Sequence, residues 1–202
     1  MPTHKIKRSY RKTRYILYKE TLIDYKEQFW SFLGSFVGIG LIAYFQSQHF
    51  SHQDVVYLIG SFGASSVLVY GIIESPFSQP RNLVGGHLIS AFIGVTVHRL
   101  LPDTLYLAAP MAVSLSIVMM QITKTLHPPG GATALIAVIG TQKIKALGYW
   151  YVLSPVLTGV LILLFTALLF NNMTTSRNYP ANSTYHKRYL RKIKRLIKPT
   201  HS

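Results

Sequence analysis

The sequence predicts an all-α fold, a polytopic bundle of transmembrane helices, from three observations. Hydrophobic residues make up 49% of the 202-residue chain, and charged residues make up only 13%. The apolar residues stand in long blocks rather than at the spacing of a helix that covers a soluble core. Proline and glycine interrupt or separate these blocks, which predicts that several helices are short or broken.

Charge and composition restrict the classes of function. Of the 21 Lys and Arg residues, eight precede Trp30 and eight more lie from Arg177 onward, outside the apolar blocks. Lys and Arg collect on cytoplasmic flanks, so we expect both termini in the cytoplasm, beside anionic headgroups, rather than a nucleic-acid partner. The chain has no cysteine, which excludes disulfides and thiolate chemistry. The spans hold no acidic pair and no His–Glu constellation, so we expect no enzyme, no metal and no cofactor.

Three regions follow from this pattern. Residues 1–30 form a basic N-terminal segment, in which we expect an interfacial helix from about residue 15 onward. Residues 31–171 form the transmembrane domain, and residues 172–202 form a basic tail. Within that tail, residues 185–198 carry apolar side chains at helical spacing, which predicts an amphipathic helix on the inner leaflet.

The transmembrane domain contains six hydrophobic segments, and small residues at intervals of about four predict close helix packing in several of them. A polar stretch that carries Pro76 and Pro80 follows the second segment, and Lys124 closes the fourth. The six segments are residues 31–45, 55–73, 84–101, 105–123, 132–140 and 149–170.

The fifth segment is short and follows a break. Pro128 and Pro129 cannot lie inside a regular helix, and Gly130 and Gly131 allow close approach to the backbone. A helix that restarts here would present free amides and the positive end of its dipole, which suits an anion. A kinked helix that packs closely through its glycines is the alternative.

Both termini on one side require an even number of crossings, so the fifth segment is predicted to cross. We expect a multi-pass protein of a bacterial inner membrane. The segment that begins Gly85-Gly86-His87 resembles the segment that begins Gly130-Gly131. This similarity predicts a parallel internal repeat, with chance resemblance between glycine-rich segments as the alternative.

Residues 126–135, Leu-His-Pro-Pro-Gly-Gly-Ala-Thr-Ala-Leu, resemble the signature of the HPP family of integral membrane proteins. Further blocks at residues 62–68, 75–87 and 155–172 are similar to that family in the same order. The resemblance covers about residues 30–180, with Lys124 in place of the family's usual arginine. It implies four spans, fewer than the six segments counted here, and an association with nitrite transport.

We therefore predict a transporter or channel for a small inorganic anion, nitrite in particular. A non-transporting assembly or sensor subunit is the alternative, in which the glycine faces would make a homo-oligomer. Arg81 and Lys124 could instead extend to the membrane interface, and His127 could bind the anion, carry a proton or cap a helix. The predicted anion-binding residues are Gln79, Arg81, Asn82, His87, Lys124, His127, Gly130, Gly131 and Thr133, and the predicted structural residues are Pro76, Pro80, Gly85, Gly86, Pro128 and Pro129.

Overall fold

The computed structural model describes residues 25–102, 104–174 and 177–181, and these residues fold as a helical bundle without strands. The predicted all-α fold is confirmed. The helices are α1 (Tyr25–Ser47), α2 (His52–Ser66), α3 (Pro80–Leu100), α4 (Leu105–Ile122), α5 (Pro129–Ile139), α6 (Gln142–Ala146) and α7 (Thr158–Phe170). Two π-helical turns, Val67–Gly71 and Val152–Leu157, extend α2 and precede α7, and a 3-10 turn, Pro76–Ser78, precedes α3.

Six apolar helices correspond to the six predicted segments in the part of the chain that the structure describes. Five of them are long and apolar enough to cross a membrane, and α5 is the shorter sixth. This exceeds the four spans that the family resemblance implied. Within the described residues α1 runs from Tyr25, so residues 25–30, predicted as part of an interfacial helix, are continuous with the predicted first segment. The predicted helices at residues 15–24 and 185–198 lie outside the described residues.

The connections gather at two ends of the bundle. At one end, which we call the loop end, the Thr141 hydroxyl donates to the Asp54 carboxylate at 2.8 Å. Lys143 donates to the His49 carbonyl at the same end. These contacts join the α1–α2 connection to the segment that follows α5.

The opposite end, which we call the break end, holds the polar stretch before α3 and the break before α5. The Tyr179 hydroxyl donates to the Ser78 carbonyl at 2.7 Å, and Ala181 N donates to Gln79 Oε1 at 2.8 Å. Burial raises the pKa of Tyr179, so its hydroxyl stays protonated as a donor. Arg177 contacts Glu27 near the start of α1. Both ends of the described chain therefore lie at the break end.

Arg177 lies inside the bundle rather than in a solvated tail. Its side chain donates to the Tyr70 carbonyl at 2.7 Å, to Asn171 Oδ1 at 2.8 Å and to the Glu27 carbonyl at 2.9 Å. The Glu27 carboxylate lies 3.3 Å away. The basic tail that begins at Arg177 in the sequence thus contributes its first cation to the core.

Helices α3 and α5 run parallel, side by side, and both start at the break end. Asn82 lies near Leu126, His87 lies near Thr133, and Gly94 lies against Ala134, in that order along both helices. A side chain at Gly94 would meet the Ala134 backbone, so the pair depends on a residue without Cβ there. The predicted common direction of the two repeat-like segments is confirmed.

Candidate functional site

The two interruptions meet at the break end. Arg81 Nη2 donates to the Thr123 carbonyl at 2.8 Å, and Asn82 Nδ2 donates to the Leu126 carbonyl at 2.8 Å. Both acceptors belong to the break between α4 and α5. Arg81 therefore lies beside the Pro-Pro-Gly-Gly break, and anion binding there stays a prediction.

Helix α4 ends in a reversed turn at Lys124. Lys124 has a φ of 56°, in the left-handed region that usually favours glycine. Thr125 N donates back to the Met120 carbonyl at 2.9 Å, which closes the last turn of the helix. The turn sends the chain into the break and leaves the Lys124 side chain exposed at the break end.

The start of α5 does not offer the free glycine amides that the sequence suggested, and that expectation is wrong. Gly130 N donates to the His127 carbonyl at 2.8 Å, and Gly131 N donates to the Pro128 carbonyl at 3.1 Å. Pro128 and Pro129 have no amide hydrogen to leave unpaired. The positive end of the helix dipole remains, but any donor to a bound group must come from a side chain.

Gly130 instead permits close packing. A Cβ at this position would stand 2.7 Å from Ser90 Oγ and 3.0 Å from the Gly86 carbonyl. A Cβ at Gly86 would stand 2.5 Å from His127 Cβ, and one at Gly85 would meet Thr125. The glycines of both interruptions thus let the break lie directly on α3.

A row of buried polar side chains runs beneath the break. His87 and His127 are both fully buried, and their rings lie 5.0 Å apart between centroids. Ser65 Oγ lies 2.8 Å from His87 Nε2 and 2.9 Å from His127 Nε2. His87 Nδ1 lies 2.7 Å from Thr133 Oγ1, and His127 Nδ1 lies 2.8 Å from the Phe77 carbonyl. We call Ser65, His87, His127 and Thr133 the polar row.

Separate elements position the members of this row. Ser65 comes from the last turn of α2, His87 from the second turn of α3, and Thr133 from the first turns of α5. The Phe62 ring packs on His87 with 5.3 Å between centroids, and the Tyr151 hydroxyl donates to the Thr133 carbonyl at 3.0 Å. Because the row joins three helices and the break, its geometry depends on the whole bundle.

Sequence reasoning missed Ser65, which it treated only as one of several small packing residues. One signal could have found it. Ser61 and Ser65 are four residues apart and therefore share one face of an apolar helix. Polar groups inside a membrane span face the protein interior and need partners, and buried histidines supply them here.

The remaining predicted residues shape the stretch before α3. Pro76 starts the 3-10 turn and Pro80 starts α3. Gln79 Nε2 donates to the Ile73 and Ser75 carbonyls, both at 2.9 Å. In the described residues, no three His, Asp or Glu side chains are grouped so that they could hold a metal ion.

Comparisons with known proteins agree with this architecture. Residues 20–180 match the family model of the HPP transmembrane region. Two transmembrane proteins of Dictyostelium discoideum are each 44% identical to this chain over 160 residues, or 78% of its length. The match spans 56% of one relative and 51% of the other, about half of each. No solved structure matches the chain significantly.

Proposed function

The chain belongs to the HPP transmembrane family, and from that premise we propose that it transports a small inorganic anion, nitrite or a similar oxyanion. One observation carries the proposal: two polar helix interruptions meet at one end of the bundle, directly above a buried polar row. Broken helices whose starts meet are typical of transporter binding sites. We expect the membrane to be a bacterial inner membrane, with the break end and both termini on its cytoplasmic side.

Charge at the break end favours an anion. Arg81 and Lys124 are both exposed there, one at each interruption. Helices α3 and α5 both begin there, and each adds the positive end of its dipole. Glu74 is the one acidic residue within residues 72–82 and 123–131. A mouth with this balance of charge would concentrate anions.

The polar row supplies hydrogen-bonding groups, and none of its four side chains forms a salt bridge within the described residues. An oxyanion would take a donor from His87, His127 or Thr133 by displacing the present acceptor of that donor. The glycine amides of α5 are already hydrogen-bonded, so we assign recognition to side chains. In this proposal Arg81 and Lys124 attract the anion, and the polar row receives it.

The first test is nitrite uptake into proteoliposomes by the purified chain and its Lys124→Gln variant. A charge at a partly buried anion site contributes more than a surface charge, whose pairing stabilises by under about 1 kcal/mol. We expect Lys124→Gln to slow uptake roughly tenfold, about the effect of 1.4 kcal/mol, with no loss of folded yield.

Lys145→Gln is the matched control, because Lys145 lies in α6 at the loop end. Protein-free liposomes give the passive rate. Equal uptake by both variants and the original chain would show that Lys124 does not contribute to anion binding. Uptake no faster than in protein-free liposomes would overturn the transport proposal.

A non-transporting subunit is the second candidate, and one observation favours it. The Arg81 guanidinium and both glycine amides of α5 already bond to the protein's own backbone, as they would in a purely structural break. Absence of flux for nitrite, nitrate and chloride alike, from correctly folded protein, would support this candidate.

A further inference from the structure

When both imidazoles are neutral, only one direction of donation gives each of their four ring nitrogens a hydrogen bond. A backbone carbonyl can only accept, so His127 Nδ1 must carry its hydrogen toward the Phe77 carbonyl, 2.8 Å away. His127 Nε2 is then an acceptor, and the Ser65 hydroxyl, 2.9 Å away, donates to it. The Phe77 carbonyl therefore sets the tautomer of His127.

The rest of the order follows from Ser65. A serine hydroxyl has one hydrogen, so His87 Nε2, 2.8 Å from Ser65 Oγ, must be the donor in that contact. His87 Nδ1 is then an acceptor, and the Thr133 hydroxyl donates to it at 2.7 Å. All four bonds donate in the same sense, from Thr133 toward the break end.

We propose that Ser65 joins His87 and His127 into a proton relay that moves protons together with the transported anion. The coupling to an anion rests on the function proposed above, whereas the order of donation in the row does not. The sequence had assigned Ser65 no role beyond packing, and among the described residues its Oγ is the one side-chain oxygen that hydrogen-bonds to both imidazoles.

One passage shifts each hydrogen by a single bond. A hydronium ion on the α5 side gives a proton to Thr133 Oγ1, and the hydroxyl hydrogen of Thr133 moves to His87 Nδ1. The Nε2 hydrogen of His87 moves to Ser65 Oγ, and the Ser65 hydrogen moves to His127 Nε2. The His127 ring turns away from the Phe77 carbonyl, and its Nδ1 hydrogen passes to a water molecule at the break end. Every side chain ends neutral, and both imidazoles have exchanged tautomers.

Ser65 also has a second acceptor for its hydroxyl hydrogen. The Ser61 carbonyl lies 3.1 Å from Ser65 Oγ and can accept that hydrogen in place of His127 Nε2. The hydroxyl can therefore turn from His127 to Ser61 when His127 Nε2 carries a proton. Carbonyls four residues earlier in a helix commonly accept from serine in this way.

The surroundings leave the relay without a competing charge among the described residues. On α2 the neighbours are Ser61 and Phe62, and on α3 Gly86 lies against His127. The titratable group nearest the Thr133 end is Tyr151, which donates to the Thr133 carbonyl. Arg81, on α3, is directed to Thr123 instead. No carboxylate hydrogen-bonds to either imidazole.

Nitrogen NMR of the protein labelled with ¹⁵N-histidine tests the order of donation without any transport. We expect His127 as the Nδ1–H tautomer and His87 as the Nε2–H tautomer at neutral pH, with signals assigned from His127→Gln and His87→Gln. The opposite tautomer at either histidine would overturn the relay order, whatever the transport assay gives.

Proteoliposomes that contain a pH-sensitive dye test the coupling. We expect nitrite uptake to acidify the lumen, and an imposed proton gradient to accelerate that uptake. In Ser65→Ala the gradient-driven rate should fall on the order of a hundredfold, the usual scale for losing a positioned proton-transfer group. Ser65→Cys has a side chain of similar size that donates weakly, so its gradient-driven rate should lie between those of the unmodified chain and Ser65→Ala.

Ser66→Ala is the matched control, because Ser66 is also buried on α2 and its hydroxyl makes no hydrogen bond. Equal gradient responses in Ser65→Ala and Ser66→Ala would overturn the relay while leaving transport intact. Uptake that ignores the gradient in the unmodified chain would do the same. No uptake at all would instead overturn the function, and the NMR tautomers would then decide the relay by themselves.

Discussion

Arg177 lies where several oxygen atoms converge, and it links the end of the described chain to the start of α1. Its guanidinium is almost entirely buried, with 3% of the side chain exposed, and it donates to the Tyr70 carbonyl, which also accepts from the Ser31 hydroxyl. An unpaired buried charge is costly, and here the Glu27 carboxylate and the neighbouring oxygen atoms offset the burial of the guanidinium. The contact therefore holds Arg177 and its neighbours, which follow α7, against the break end.

Replacing this residue should destabilise the bundle. In Arg177→Leu the Tyr70 carbonyl and Asn171 Oδ1 lose a charged donor, and we expect a loss of about 2–4 kcal/mol in the free energy of unfolding. Thermal unfolding of the detergent-solubilised protein measures the change.

Asn178→Ala gives the control, because Asn178 is exposed one residue away. Its effect should stay within about 0.5 kcal/mol. A similar, small change in both variants would show that Arg177 contributes no more than a surface residue.

Residue identity alone could predict part of the site but not all of it. His87, His127 and Arg81 were predicted because polar residues beside a helix break are conspicuous in an apolar chain. Ser65 was not, because a serine in a small-residue helix reads equally well as packing. Arg177 was not, because a cation after the last span is typical of a cytoplasmic flank. The roles of Ser65 and Arg177 depend on hydrogen-bond partners from distant segments of the chain, and the local sequence does not reveal those partners.

Helix α3 lies against α5 with no space for one added carbon at Gly94. A Cβ there would contact the carbonyl and Cα of Ala134. Gly94→Ala should therefore cost about 1–3 kcal/mol through overpacking, although alanine has the better helix propensity.

Gly60→Ala is the matched change, since a Cβ at Gly60 in α2 meets nothing within 4 Å. We expect it to be neutral or to stabilise by up to about 1 kcal/mol. The comparison uses the same assay of thermal unfolding. A destabilisation equal to that of Gly94→Ala would contradict the close approach of α3 and α5.

Helix existence followed from sequence more readily than helix limits. The break before α5 was predictable, because two consecutive prolines cannot lie in the interior of a regular helix. The boundary between the predicted interfacial helix and the first span was not, because residues 25–30 continue into the first span as one helix. The occupied amides of Gly130 and Gly131 depend on how tightly the chain turns around Pro128, which composition does not specify.

For the whole bundle, we predict that the break end and the loop end are exposed on opposite sides of the membrane. The chain contains no cysteine, so single cysteines can be introduced without a background. Cysteines introduced by Asn178→Cys and Ser75→Cys would be at the break end, and the one introduced by Lys145→Cys would be at the loop end. An impermeant maleimide should label the first two from one side of sealed vesicles and the third from the other.

Vesicles of inverted orientation supply the control, because every labelling pattern should then reverse. If Asn178→Cys and Ser75→Cys were labelled from opposite sides, an odd number of crossings would separate them. That outcome would contradict the shared break end.

The close fit of α3 on α5 has a mechanical consequence. A pair that leaves no clearance at Gly94 and Gly130 cannot slide and would move as one rigid body, since packed interiors resist gradual deformation. Helix α2 faces open space at Gly60 and Gly63 on one side and meets α3 through Phe62 and Ser65 on the other. Ser65 belongs to α2, whereas His87 and Thr133 belong to the rigid pair. A movement of α2 relative to this pair would therefore make or break the contact between Ser65 and His87. The conformation of the bundle would then control when a proton can pass.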